Sequence, residues 1–410
     1  MAKVRIIVIG GGAAGMMAAL TAARQNKEVI LIEKNSELGK KLKITGGGRC
    51  NITNTASPEE MMKKTLRNGK FLYHSFNVFS SSILMKELED GGVKLKVEEE
   101  GRVLPTSDSS QEIIDYFTKE LRKNQVKILF NSSVKELLID SNRVTGVLLS
   151  NDKIIEGNSV IIATGGLSYP STGSTGDGYR IAKELRHRIV PVKASLVPLK
   201  LMEEWVINLM GISFENVRIT TSIKNNKKTI VEGGLIFTHF GISGPAVLKL
   251  SSYLANIREK TYIPIIIDFM PQVSREALEE LLLKGVEGNR NKSIKNTLGH
   301  FLPKAFTEKL LSIHQISSDD ALNQLTKSNR NKILSSIMEF EATVIGSMGL
   351  KEAIVTAGGV DVKEINPKNM ESKLVKNLYF AGEVMDVDAL TGGYNLHIAL
   401  STGYIAGLNS

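Results

Sequence analysis

The first 33 residues alternate between apolar runs and a glycine turn in a fixed order. Residues 4–9 read V-R-I-I-V-I, a short β-branched run. Residues 10–15 read G-G-G-A-A-G, and 16–24 continue as an alanine-rich stretch with helical character. A second apolar run over 28–32 ends on Glu33. The pattern predicts strand, tight turn, helix, strand, acid. Further along, Ile113, Ile114, Phe117 and Leu121 share one face of a helix expected over 110–123. Helices are also expected over 58–67, 80–90 and 179–186. Short strands are expected over 93–97, 126–130, 134–139, 144–149, 154–156 and 159–163, several of them forming a small meander, with a turn segment at 101–105.

The character changes at Ile189. Short β-like runs follow over 195–199, 217–223, 229–237 and 262–269, and then 274–338 reads almost wholly helical and Lys-rich, with loops near 285–291 and 317–319. The last seventy residues return to the earlier style. Strands are expected at 352–356 and 378–381, with Gly358, Gly359, Val360 and Asp361 between them, and Gly392-Gly393-Tyr394-Asn395 opens a final helix. The expected organisation is therefore an α/β fold: a Rossmann-type domain from 1–188 and 341–410, a β-rich middle domain over 189–270 and a helical insert over 271–340.

The opening pattern carries chemistry. Strand, Gly-x-Gly-x-x-Gly, helix and a terminal acid are the parts of a dinucleotide-binding unit. Gly10 permits the turn, Gly12 lets a pyrophosphate approach the backbone, and Gly15 lets the helix lie close to the sheet. The helix beginning near Ala13 and Ala14 points free N–H groups at the phosphates. Glu33, roughly 20 residues on, suits ribose hydroxyls and disfavours a 2′-phosphate, with Lys34 beside it. A second glycine-rich stretch, I-T-G-G-G-R-C-N-I-T-N, suits a backbone lying against a flat ligand: Gly46 and Gly47 permit the approach, and Lys41 or Arg49 could offset its negative charge. Thr164 and Gly165 form another backbone-approach site at a strand end. The backbone of Val134 suits an adenine edge. Gly382-Glu383 ends a strand where a carboxylate could hold sugar hydroxyls, and beyond Gly393 the N–H groups of Asn395 and Leu396 would stabilise negative charge.

Composition narrows the class. The chain has 410 residues, 42% of them hydrophobic, enough for more than one core. No apolar run is long enough to span a bilayer, and the glycines that interrupt residues 1–20 argue against a signal peptide. Cys50 is the single cysteine, which excludes an intramolecular disulfide and a Cys-based zinc site; no metal is expected, and a reducing cytoplasmic setting fits. The net charge of +9 includes clusters at Lys40, Lys41 and Lys43, at Lys224, Lys227 and Lys228, at Arg290, Lys292 and Lys295, and at Lys327, Arg330 and Lys332. These read first as solvated faces, and otherwise as a site for an anionic partner such as RNA.

Four motifs in order carry a family resemblance: the dinucleotide fingerprint with I-T-G-G-G-R-C-N-I-T-N, then A-T-G-G-L-S-Y-P-S-T-G-S-T-G-D-G-Y, then F-T-H-F-G-I-S-G-P-A, and L-Y-F-A-G-E-V-M-D-V-D-A-L-T-G-G-Y-N-L near the end. Over essentially its whole length the chain resembles bacterial NAD(P)/FAD-dependent oxidoreductases of the aminoacetone oxidase-like or BaiN/RdsA-like kind. The resemblance implies FAD held by both chain ends and a barrel-like form for the middle domain. It places contacts at Gly10, Gly12, Ala14, Gly15, Glu33, Lys41, Gly46, Gly47 and Arg49, at Val134 for the adenine, at Glu383 for the ribityl chain, and at Asn395 and Leu396 for the flavin ring.

No second dinucleotide unit follows. Either NAD(P)H visits the substrate cleft transiently as reductant, or a small substrate reduces the flavin and oxygen reoxidises it. Tyr169, His239, Tyr394 and His397 are the candidate catalytic residues on the substrate side, any of which could instead be packed side chains. The first expectation is a flavoenzyme moving hydride between flavin N5 and a small organic substrate, with nucleic acid and membrane not its partners. The alternative is a flavin-containing RNA-binding or RNA-modifying protein. Substrate, electron partner and oligomeric state are open at this level.

Overall fold

The computed structural model describes residues 4–223, 227–255, 262–284 and 291–410, so Lys224 and Arg290 of the basic clusters lie outside the described residues, as does the loop over 285–290. The chain forms two compact units, Met1–Ser195 with Leu350–Ser410, and Leu196–Gly349.

The first unit is built on a five-stranded sheet in the order Leu378–Phe380, Ser159–Ile162, Arg5–Ile9, Glu28–Ile32, Lys127–Leu129. All neighbours run parallel, with Ile6 opposite both Ser159 and Val29. Such strands are covered on both faces, which explains why they read as continuous apolar runs rather than alternating ones. The helix Ala13–Ala23 follows the central strand and is buried from Ala14 to Ala23. It can be buried all round because its exposed-face positions are alanines rather than charges. The final helix, Tyr394–Asn409, packs on it through glycines: an added Cβ at Gly403 would lie 2.3 Å from the Ala14 carbonyl oxygen, and one at Gly407 the same distance from that of Ala18. Val134–Asp140, Arg143–Leu149 and Ile154–Glu156 form the expected antiparallel meander.

The second unit contains a closed six-stranded barrel in the order Leu199–Leu201, Gly241–Ser243, Lys227–Thr238, Ser213–Ile223, Ile263–Asp268, Phe340–Ser347, the last pairing with the first. Helices Pro245–Leu254, Arg275–Lys284, Ile294–Leu298, Lys304–Ile313 and Lys327–Met338 accompany it. Phe306, from the helical stretch, packs against Phe214 at 5.0 Å and Phe269 at 4.5 Å between ring centroids. One hydrophobic core therefore serves both barrel and helices.

Four expectations change. Residues 189–270 and 271–340 are not two domains with separate cores. The borders also move: Ile189–Ser195 pairs with Val355–Val360 in the first unit, and Phe340–Ser347 closes the barrel. Residues 358–361 were expected between strands, yet the strand Val355–Val360 runs through Gly358 and Gly359 at φ +89° and +134°. It does so beside a register shift in its partner between Val190 and Lys193. Arg102–Pro105, expected as a turn, is a strand pairing with Leu95–Val97.

Candidate functional site

The outgoing ends of the parallel strands bring the glycine motifs of the first unit together. Gly10 leaves its strand at φ +103°, and a Cβ there would sit 2.6 Å from the Ala163 carbonyl oxygen. A Cβ on Gly15 would sit 1.8 Å from the Gly10 oxygen. Both positions are closed to any side chain by the protein itself. Gly12 differs: its φ of −80° is ordinary and a Cβ would meet nothing within 4 Å. The fold does not need glycine there, so the open space beside it is room for something else. Gly12 is also the N-cap of Ala13–Ala23 and supplies no capping side chain, which leaves the first N–H groups of the helix for an anion.

Glu33 is buried at 7% exposure. Its Oε2 accepts from the Gly11 N–H at 2.7 Å, and its Oε1 from the Asn35 N–H at 2.8 Å and side-chain amide at 2.7 Å. The acid is thus fixed beside the glycine turn with acceptor capacity remaining. Lys34 reaches the other way, to Asp177 at 2.7 Å and to Thr175, tying the second strand's end to the loop before the helix Asp177–Glu184.

Gly46, Gly47 and Gly48 all adopt left-handed φ, at +57°, +68° and +90°, and Gly47 also faces open space. Lys41 and Glu383, both read as cofactor contacts, are bonded to each other: Lys41 Nζ donates to Glu383 Oε2 at 2.7 Å and to Ser168 Oγ at 2.7 Å. Glu383 Oε1 accepts from the Thr356 N–H at 2.7 Å and Ser168 Oγ at 3.0 Å. Burial pushes the Glu383 carboxyl up, but Lys41 and these donors together hold it below the ordinary value. One carboxylate thereby ties four segments of the chain into a single frame. Ser168 and Thr356 were not anticipated; only their proximity in the fold identifies them.

Arg49 does not offer a free charge. Its guanidinium pairs with Glu98, and with Asp108 at 2.7 Å, anchoring the glycine loop to the neighbouring hairpin. The Val134 carbonyl accepts from Arg180 at 3.2 Å. Thr164 Oγ1 is buried without a partner, next to Gly165 at φ +72°. At the other chain end, Gly382 has φ +78° and its Cβ position lies 2.8 Å from Ala14 Cβ. Gly393, φ +93°, caps the last helix without a side-chain acceptor. The Asn395 side chain is engaged with Ala389, accepting from its N–H at 2.9 Å and donating to its carbonyl at 2.8 Å. That leaves its backbone N–H, with that of Leu396, at the uncapped helix start. Beside this helix start, the buried Asp388 pairs with Arg67 and accepts from Ser195 Oγ at 2.9 Å.

The four catalytic candidates separate. His397 is fully buried; its Nδ1 meets Thr53 Oγ1 at 2.9 Å, Phe76 packs on its ring, and burial lowers its pKa to about 4. Burial holds its ring neutral, which favours the packed-side-chain alternative over a proton-exchanging one. Tyr394 is buried at the helix start, and burial raises its phenol. Tyr169 is half-buried, in a left-handed conformation at φ +51°, immediately after Ser168. His239 belongs to the second unit and is exposed in the turn between Lys227–Thr238 and Gly241–Ser243. No helix among the described residues is long and apolar enough to cross a membrane.

An open space at Gly12, two uncapped helix starts, a buried orphan hydroxyl at Thr164 and a left-handed glycine run at the same sheet edge fit a long anionic ligand of the FAD type. Residues 4–409 match the family described as HI0933-like protein Rossmann domain. The chain is 33% identical over 406 residues to a ribosomal RNA dihydrouridine synthase of Escherichia coli strain K12, covering 98% of this chain and 97% of that one. It is 28% identical over 414 residues to a 3-dehydro-bile acid delta(4,6)-reductase of Clostridium scindens, covering 98% of each. Among solved structures, a 3-ketosteroid-delta4-(5alpha)-dehydrogenase from Rhodococcus jostii RHA1 shares the fold with a TM-score of 0.53 and 14% identity, over 99% of this chain and 96% of that one.

Proposed function

The chain belongs to the HI0933-like Rossmann family, and from that premise we propose that this FAD-dependent oxidoreductase reduces a carbon–carbon double bond conjugated to a carbonyl, with uridine in ribosomal RNA as its substrate. The observation that carries the reading is the full-length 33% match to a ribosomal RNA dihydrouridine synthase. Uracil C5=C6 and the dienone of a 3-dehydro-bile acid share the same electronic feature, a double bond polarised by a carbonyl. This reading reverses the first expectation that nucleic acid is not a partner, and the basic composition agrees with it.

When bound, FAD would supply the two-electron chemistry of hydride transfer. The chain's own residues supply the rest. The helix starting at Ala13 holds the pyrophosphate, Glu33 the ribose, and the N–H groups of Asn395 and Leu396 the ring edge where negative charge gathers. The Lys41–Glu383–Ser168–Thr356 network keeps the surrounding loops in register. Reduction of the double bond consumes one hydride and one proton. Tyr169, half-buried and next to that network, is the phenol assigned to deliver the proton.

The test is anaerobic mixing of purified protein with NADPH or NADH and then with ribosomal RNA, followed by nucleoside mass analysis. The reading expects a uridine heavier by H2. A small-molecule enone reductase, favoured by the bile-acid relative, expects the bound flavin to be reoxidised by enones and not by RNA.

A further inference from the structure

The sequence draws attention to runs of neighbouring lysines and arginines, but the fold also gathers basic residues from distant segments onto the Rossmann unit. Four separate segments meet there. The Lys376 N–H donates to the Asn142 carbonyl at 3.0 Å and the Lys376 carbonyl accepts from Val144 at 3.1 Å. The Lys373 N–H donates to the Glu364 carbonyl at 2.8 Å, and its Nζ to the Lys363 carbonyl at 2.8 Å. The Arg188 N–H donates to Glu364 Oε2 at 2.8 Å, and its carbonyl accepts from Asp361 at 2.9 Å. The buried His187 joins Ser372 at 2.7 Å.

These contacts bring the exposed Arg143, Arg186, Arg188, Lys363, Lys373 and Lys376 onto one stretch of surface. The carboxylates at this surface are already engaged: Asp140, opposite Arg143, accepts from Ser141 Oγ at 3.0 Å, and Glu371 accepts from the Asn377 N–H at 2.9 Å. Asp361 faces Arg188 at 3.5 Å and accepts from the Lys363 N–H at 3.0 Å, while Glu364 takes the Arg188 N–H. Arg143, Arg186, Lys363, Lys373 and Lys376 pair with no carboxylate among the described residues. A surface of this sign has no use for an uncharged small substrate, but it suits a phosphate backbone.

Its place in the fold matters. Lys376 lies just before the strand Leu378–Phe380, at the entrance edge of the parallel sheet, whereas Gly382 and the other cofactor motifs lie at the exit edge. Ligands of open parallel sheets bind at the exit edge, so this surface is not part of the cofactor cradle. We propose that it docks the phosphate backbone of an RNA substrate away from the reacting base, anchoring the molecule without touching the chemistry. The proposal rests on the ribosomal RNA reading and extends it to a named surface.

The experiment measures binding of in vitro transcribed ribosomal RNA to the FAD-loaded protein across a salt series. The substitutions Lys363→Gln, Lys373→Gln and Lys376→Gln are combined in one chain, and Lys327→Gln with Lys332→Gln serves as the comparison from the helical stretch. The triple variant should bind on the order of tenfold more weakly, with the slope of log affinity against log salt shallower by about 2–3. Its FAD content and its flavin bleaching by NADPH should be unchanged, and the helical-stretch variant should bind like the parent. A triple variant with the parent's slope overturns the surface and leaves the RNA reading standing. A parent protein that fails to bind the RNA at low salt overturns the reading and the surface with it. Equal binding of the parent to duplex DNA or to phosphatidylglycerol vesicles, lost alike in the triple variant, overturns RNA as the partner.

Discussion

Gly403 lies against the first helix so closely that a methyl group placed on it would sit 2.3 Å from the carbonyl oxygen of Ala14. Residues nearly four hundred positions apart in sequence thus share one seam, repeated a turn later by Gly407 on Ala18. The seam fixes the helix that begins at Tyr394 against the helix that begins at Ala13, and with it the two uncapped starts assigned to the flavin ring and the pyrophosphate. Gly403→Ala should lower stability by about 1–3 kcal/mol, because neither backbone can retreat without disturbing the sheet. Urea unfolding checks this; an unchanged midpoint would show that the helices are free to separate.

Gly12 and Gly15 should fail differently. A Cβ at Gly15 collides with the Gly10 carbonyl, whereas one at Gly12 meets open space. Gly15→Ala should therefore destabilise the fold. Gly12→Val should leave the unfolding midpoint of the cofactor-free protein within about 0.5 kcal/mol of the parent yet lose the FAD. Full FAD content in Gly12→Val would place the pyrophosphate elsewhere.

Lys41 and Glu383 form a partly shielded ion pair whose loss should be asymmetric. Lys41→Met leaves a buried carboxylate without its cation and should cost about 1–3 kcal/mol at neutral pH. In the parent the Glu383 pKa is depressed, so its contribution is present above the unfolded carboxylate pKa and lost as pH falls through the folded one. Stability curves against pH should therefore converge for parent and Lys41→Met in acid. Curves that stay parallel throughout would show that the pair is not the source of the difference.

His397 makes the opposite contribution in a different window. Its folded pKa of about 4 lies below the ordinary 6.5, because burial disfavours the cation. The unfolded chain takes up this proton first, so stability should fall as pH drops from about 6.5 to about 4, by roughly 3 kcal/mol in all. His397→Gln should flatten that part of the curve. A variant that loses turnover while keeping the parent's acid sensitivity would return His397 to the list of proton carriers.

The cofactor side of the molecule was legible because dinucleotide binding leaves its mark in local patterns: a strand, a spaced run of glycines, a helix and an acid within thirty-three residues. Gly10, Gly15 and Glu33 occupy the positions their spacing implied. Arg49 did not, since its choice between a ligand and Glu98 depends on a hairpin that sequence spacing does not locate. The strands of the middle region were visible as short β-like runs, but the strand that closes their barrel lies beyond the helical stretch, so composition alone placed a border where the core of Phe214, Phe269 and Phe306 is continuous. Ser168, Thr356 and the Arg188–Lys376 surface were hidden for the same reason: each is assembled from segments that only the tertiary fold brings together.

Both chain ends are proposed to hold FAD jointly. Native mass spectrometry of the purified protein, followed by denaturation and identification of what is released, tests it most directly. The complex should be heavier than the polypeptide by one FAD, which dissociates on unfolding and is lost in Gly12→Val. A protein that carries no flavin, takes none up when FAD is added, or holds only FMN would contradict it.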